Sequence, residues 1–112
     1  MRSKQLLALA ERALADLKAR EIQVLDVRQL TSVADYMVVA SGTSDRHVKS
    51  IASRLVQTAS EAGCPPLGVE GMGNGEWVLV DLADVVVHIM QPRTREFYKL
   101  ESLWDMGDVA TA

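Results

Sequence analysis

Few residues in this chain have the types and spacing that chemistry requires. Residues 41–46, SGTSDR, put glycine and hydroxyls ahead of a helix-like run. Backbone N–H groups and a helix N-terminus hold phosphate in such a turn. A P-loop would add a Gly-Lys-Ser/Thr element, which is missing. A nucleotidyltransferase would add carboxylates one residue apart on a following strand to hold magnesium. The next strand offers only Glu70, and Asp81 and Asp84 flank a turn. Helix capping by Thr43 or Ser44 accounts for the segment more simply. His47 and His88 are the only histidines and Cys64 the only cysteine. No Ser-His-carboxylate set or metal-spaced cluster assembles from them, so neither an enzyme nor a cofactor is expected. Cys64 follows a helix end, the wrong terminus for activating a thiolate, and reads as structural.

Recognition chemistry is better represented. Residues 76–90, EWVLVDLADVVVHIM, contain two apolar runs around a turn at Leu82-Ala83. That turn would set Asp81 opposite Asp84, Leu79 opposite Val86 and Trp77 opposite His88. One hairpin face is then aliphatic: Val78, Val80, Val85, Val87 and Ile89. The other carries Trp77, Leu79, Asp81, Asp84, Val86, His88 and Met90. In the terminal segment Phe97, Leu100 and Trp104 share a helical stripe, and Tyr98 points about 100° away from Phe97. Tyr98 can therefore join Trp77 and Met90 in one aromatic surface. Tryptophan and tyrosine are the residues that most often carry interface energy.

The elements that must position these residues follow from periodicity. Apolar positions from Leu6 to Leu17 predict an amphipathic helix over 4–20, with an Asp16–Arg20 pair. Residues 22–30 predict a strand, and the apolar run at 35–41 an interior strand covered on both faces. A second helix carries Val48, Ile51, Ala52, Leu55, Val56 and Ala59 on one stripe and stops at Gly63 before Pro65-Pro66. A short strand at 67–71, the hairpin, and a helix over 93–104 complete the order α-β-β-α-β-β-β-α. This is an α+β (α/β) arrangement: a mixed sheet of about five strands with flanking helices, in one domain over 1–105 with a frayed tail at 106–112.

With 112 residues and a formal charge of −3, the chain has one core and no charge for coating nucleic acid or an anionic membrane. Residues 61–92 hold five acids (Glu61, Glu70, Glu76, Asp81, Asp84) and no Lys or Arg, a composition that suits a basic protein partner. The N-terminal segment is too charged for a signal peptide or a membrane span, and a lone cysteine fits a reducing compartment. Cytoplasmic location is the expectation.

Four blocks, DYMVVASGTSDRHV, PLGVEG, GEWVLVDLADVVVHIM and REFYKLESLW, occur in an order and spacing that resemble the ribosomal silencing factor (RsfS) family, also called Iojap-related. The resemblance runs from about Leu25 to Trp104. It implies a nucleotidyltransferase-like fold without catalytic residues, often a homodimer when free. It also implies binding to the large ribosomal subunit through its protein L-fourteen. Small-subunit joining would then be blocked and translation repressed under nutrient limitation. Carried over to matching positions, Trp77 and Tyr98 are the expected contacts, with Glu101 and Glu70 as weaker ones. Asp81, Asp84 and Met90 join them from the face argument. Ala83 stands where relatives commonly have glycine, which bears on the turn. Two other classes stay open: a nucleotide-binding enzyme of nucleotidyltransferase type, and a self-associating adaptor for another basic protein.

Overall fold

The fully apolar strand of the sequence becomes an interior strand of the sheet. In a computed structural model, residues 2–100 are described; Glu101, Trp104 and the 106–112 segment lie outside them. The elements are α1 (Ser3–Asp16), β1 (Arg20–Asp26), β2 (Tyr36–Ser41), α2 (Asp45–Glu61), β3 (Gly68–Glu70), β4 (Trp77–Asp81), β5 (Val85–Met90) and α3 (Pro92–Tyr98). They form a five-stranded sheet in the order β1-β2-β5-β4-β3. All six residues of β2 are buried, and it pairs with β5 in parallel while every other pair is antiparallel. The α2 crossover delivers β3 parallel to β2 but at the far edge, leaving room for β5 and β4 between them.

Helices α1 and α2 pack together on one sheet face. Leu6, Leu14, Val48, Ile51 and Leu55 meet Val38, Val78, Val80, Val87 and Ile89 in the main core. The aliphatic hairpin face is thus in the core, as alternation required. Ser44 caps α2 by accepting from the His47 N–H at 3.1 Å, and Gly63 closes it at φ 83°. His47 then ties the two helices together: its Nδ1 accepts from Thr43 N–H at 2.8 Å while Nε2 lies 2.7 Å from Leu17 O.

Several boundaries differ from the sequence reading. Helix α1 stops at Asp16 because Lys18 takes a left-handed conformation (φ 60°), so Asp16 pairs with Arg54 at 3.7 Å rather than with Arg20. Strand β1 begins at Arg20 and ends at Asp26, beyond which Val27 O accepts from Leu30 and Thr31 N–H in a turn. Helix α3 ends at Tyr98, where Lys99 is left-handed and its N–H reaches Arg95 O at 2.8 Å. The part of the expected stripe from Phe97 to Leu100 therefore does not run along α3, Phe97 is 79% exposed, and Trp104 lies outside the described residues.

The hairpin turn is displaced by one residue. Asp81 pairs with Val86, Leu79 with His88 and Trp77 with Met90, so the turn residues are Ala83-Asp84. Leu82 N–H closes the turn on Val85 O at 2.9 Å, and Asp81 Oδ1 accepts from Ala83 N–H at 2.8 Å. This moves every partner by two positions and so preserves which side chains share a face. Ala83 is left-handed at φ 73°, a strained conformation for an alanine. Ala83→Gly should raise stability by up to about 1 kcal/mol, the relief of strain being partly offset by a freer unfolded chain. Urea denaturation checks this, and a lower midpoint for the glycine variant would contradict the strain.

Candidate protein-docking face

The opposite sheet face is built from three cross-strand rows. The first is Arg20–Ser41–Met90–Trp77, the second Gln23–Val39–His88–Leu79–Glu70, the third Leu25–Met37–Val86–Asp81–Gly68. Leu25, Val27, Met37, Val39 and Met90 form a second, smaller core there, with Trp77 and Leu100 packed against it. Among the described elements only the seven-residue α3 lies over this face, and it is held down by an arginine. Arg95 is buried, and its guanidinium donates to Glu21 O at 2.7 Å and to Ser41 Oγ at 2.9 Å. Glu21 is left-handed (φ 48°) inside an irregular stretch of β1, the distortion that turns its carbonyl to the arginine.

With Arg95 inward, Phe97, about 200° round α3, faces solvent, and Tyr98 lies between the two sides. Tyr98 is 54% exposed; its ring lies 4.9 Å from that of Trp77 and 5.0 Å from that of Phe97. Trp77 in turn donates Nε1–H to His88 Nδ1 at 3.0 Å. His88, Trp77, Tyr98 and Phe97 thus run as a chain of rings from the interior to the surface. Trp77 is fixed from the backbone side too: Gly71 has φ 93°, and a Cβ there would sit 2.0 Å from Trp77 O. Any other residue at Gly71 would displace the tryptophan.

The candidate residues separate. Trp77 and Tyr98 are brought together, with Glu70 one row away and Asp81 two rows away on the same sheet face. Met90 is fully buried, so in this structure it supports Trp77 rather than offering contact surface. Asp84 is not on the face: it lies in the turn, and Ser3 Oγ of α1 is 3.4 Å from its carboxylate. Glu101 lies outside the described residues. At SGTSDR, the Thr43 N–H goes to His47 and the His47 N–H to Ser44, so two amides that an anion would need are already donated. Among the described residues no group of three or more His, Cys, Asp or Glu could hold a metal ion. No described helix is long and apolar enough to cross a membrane.

The chain matches a family model described as "Ribosomal silencing factor during starvation" over residues 1–111. It belongs to the RsfS family. A ribosomal silencing factor RsfS of Chromobacterium violaceum is 45% identical over 93% of this chain and 85% of its own length. A crystal structure of a C. violaceum protein superposes with a TM-score of 0.92 at 45% identity, covering 94% of this chain and 88% of that one. The mouse protein named "Mitochondrial assembly of ribosomal large subunit protein 1" is 38% identical over 79% of this chain, which spans 40% of that protein. Within this RsfS fold, sequence reasoning missed Arg95, Ser41 and Phe97. The signal was that Arg95 and Phe97, two residues apart, must lie on different sides of a helix opened by Pro92.

Because His88 accepts from Trp77, it must be neutral, and burial pushes its pKa from 6.5 down to about 4. Between those values the unfolded chain takes up a proton that the folded one refuses. Stability therefore falls as pH falls through this window, by up to about 1.4 kcal/mol per pH unit. Denaturation at pH 7 and pH 5 should show a larger acid loss for the natural chain than for His88→Gln, which keeps an acceptor for Trp77. Equal losses would remove His88 as the cause.

Proposed function

We propose that this protein is a cytoplasmic translation repressor that docks on the large ribosomal subunit through the Trp77–Tyr98 face, engages protein L-fourteen there, and sterically blocks joining of the small subunit when nutrients are short. Membership in the RsfS family supports the ribosomal assignment. The mouse relative's name, with its large subunit, supports the choice of subunit. The observation that carries the choice of face is the aromatic run from half-buried Trp77 to exposed Tyr98 and Phe97, with Glu70 and Asp81 on the same sheet face. An aromatic patch supplies contact area at little entropic cost, and the acids on the same face favour a basic partner by speeding encounter. Glu101 belongs to the same matched block as Tyr98 and is assigned as a further contact to basic groups of the partner. Steric exclusion needs occupancy only, with no catalytic step. When free, the chain self-associates as a homodimer.

The test is sedimentation of purified protein with separated ribosomal subunits. Binding should be selective for the large subunit and should reduce joined ribosomes. Tyr98→Ala and Phe97→Ala change exposed side chains, so each should leave circular dichroism and melting near wild type while weakening binding about tenfold or more. Trp77→Ala should abolish binding, with a stability loss of roughly 3 kcal/mol from its packed side. Full binding by folded Phe97→Ala, Tyr98→Ala double variants would refute this face.

A further inference from the structure

The same sheet face ends, away from α3, in a small apolar hollow. Its lining is Val27, Thr31, Val33, Ala34, Met37 and Val86, around a volume of about 250 Å³. The polar group of Thr31 is already committed, since its Oγ1 accepts from Val33 N–H at 3.1 Å, and the Val27 N–H goes to Asp35 O at 3.0 Å. What remains is an aliphatic concavity. It is smaller than the roughly 300–1,000 Å³ typical of small-molecule sites, which suits one apolar side chain better than a cofactor. At its rim Val33 is 81% exposed, the most exposed large hydrophobic residue among those described.

Two observations say what occupies it. Met37 and Val86 belong to the third row of the docking face, and Val86 pairs directly with Asp81, so a carboxylate borders the hollow. Trp77 pairs with Met90, four residues from Val86 along β5, which sets the aromatic anchor and the hollow about 13 Å apart on one surface. Resting on the ribosome-docking reading above, we propose that the hollow is the second anchor point of that interface. It takes an aliphatic side chain of the same basic ribosomal protein, one flanked by a Lys or Arg that meets Asp81. The interface is then bipartite: aromatic rings at one end, an aliphatic socket at the other.

Val33→Asp changes an exposed side chain and places a charge at the rim; Ala34→Leu fills the floor. Titration of each variant against purified large subunits should show an affinity loss of tenfold or more for both, with melting temperature and sedimentation state unchanged for Val33→Asp. Unchanged affinity for a folded Val33→Asp, where Tyr98→Ala still loses binding, would overturn the socket and leave the docking face standing. Failure of the natural chain itself to bind would overturn both. A shift in monomer–dimer equilibrium with affinity intact would assign the hollow to a second copy. A changed melting temperature with affinity intact would assign it to the chain's own residues 101–112. Either result would refute the proposal.

Discussion

A five-stranded sheet has two faces to cover, and here both long helices lie on the same one. Burial of alternate strand residues sends Val78, Val80, Val87 and Ile89 beneath α1 and α2 and leaves Met37, Val39, Val86, His88 and Met90 on the other side. Among the described elements only the seven residues of α3 lie over that second face, and the side chains of the face itself cover it beside them. Trp77 lies over Met90 and binds His88, and Arg95 fastens the helix at the point where β1 is distorted. A buried guanidinium is tolerated only when paired, and this one is held by a carbonyl and a hydroxyl whose positions the sheet fixes. The surface aromatics are consequences of that fastening. With Arg95 inward, Phe97, about 200° round the helix, faces outward, while Tyr98, about 60° from Arg95, lies against Trp77.

On the proposed docking reading, stability and recognition share residues. The His88–Trp77 bond closes a buried polar group and also orients an indole that Tyr98 extends into solvent. Gly71 serves the same indole from the backbone, where only the absence of a Cβ lets the loop approach Trp77 O. A surface built this way is pre-organised, and less ordering entropy is lost when a partner arrives. The acids Glu70 and Asp81 add a long-range term that salt weakens, and the rings add the short-range one.

Much of this was legible in the chain. The continuous apolar run of β2, the alternation across the hairpin and the stripe of α2 carry the element order and the two hairpin faces, because burial enforces period 2 and period 3.6. The hairpin turn lies one residue from its expected place because Ala83, with no steric freedom for it, nevertheless takes the left-handed position that the turn requires. Turn type depends on such single conformations, which composition does not encode. The stripe through Phe97 failed because α3 stops at Lys99, and no glycine marks the stop. Arg95 was invisible for another reason: its partners are Glu21 and Ser41, distant in sequence and joined only by the sheet. Asp84 shows the limit of assigning turn residues to a face, since its carboxylate turns to Ser3 of α1.

The most direct measurement is site-specific photo-crosslinking from position 97, whose side chain is exposed and contacts Tyr98. A photoreactive phenylalanine there, mixed with purified ribosomal subunits, should crosslink to protein L-fourteen of the large subunit, while the same probe at Ser53 on the outer side of α2 should not. Crosslinks to the ribosome from Ser53 with none from position 97 would contradict the account, and would move the docking surface to the helical face.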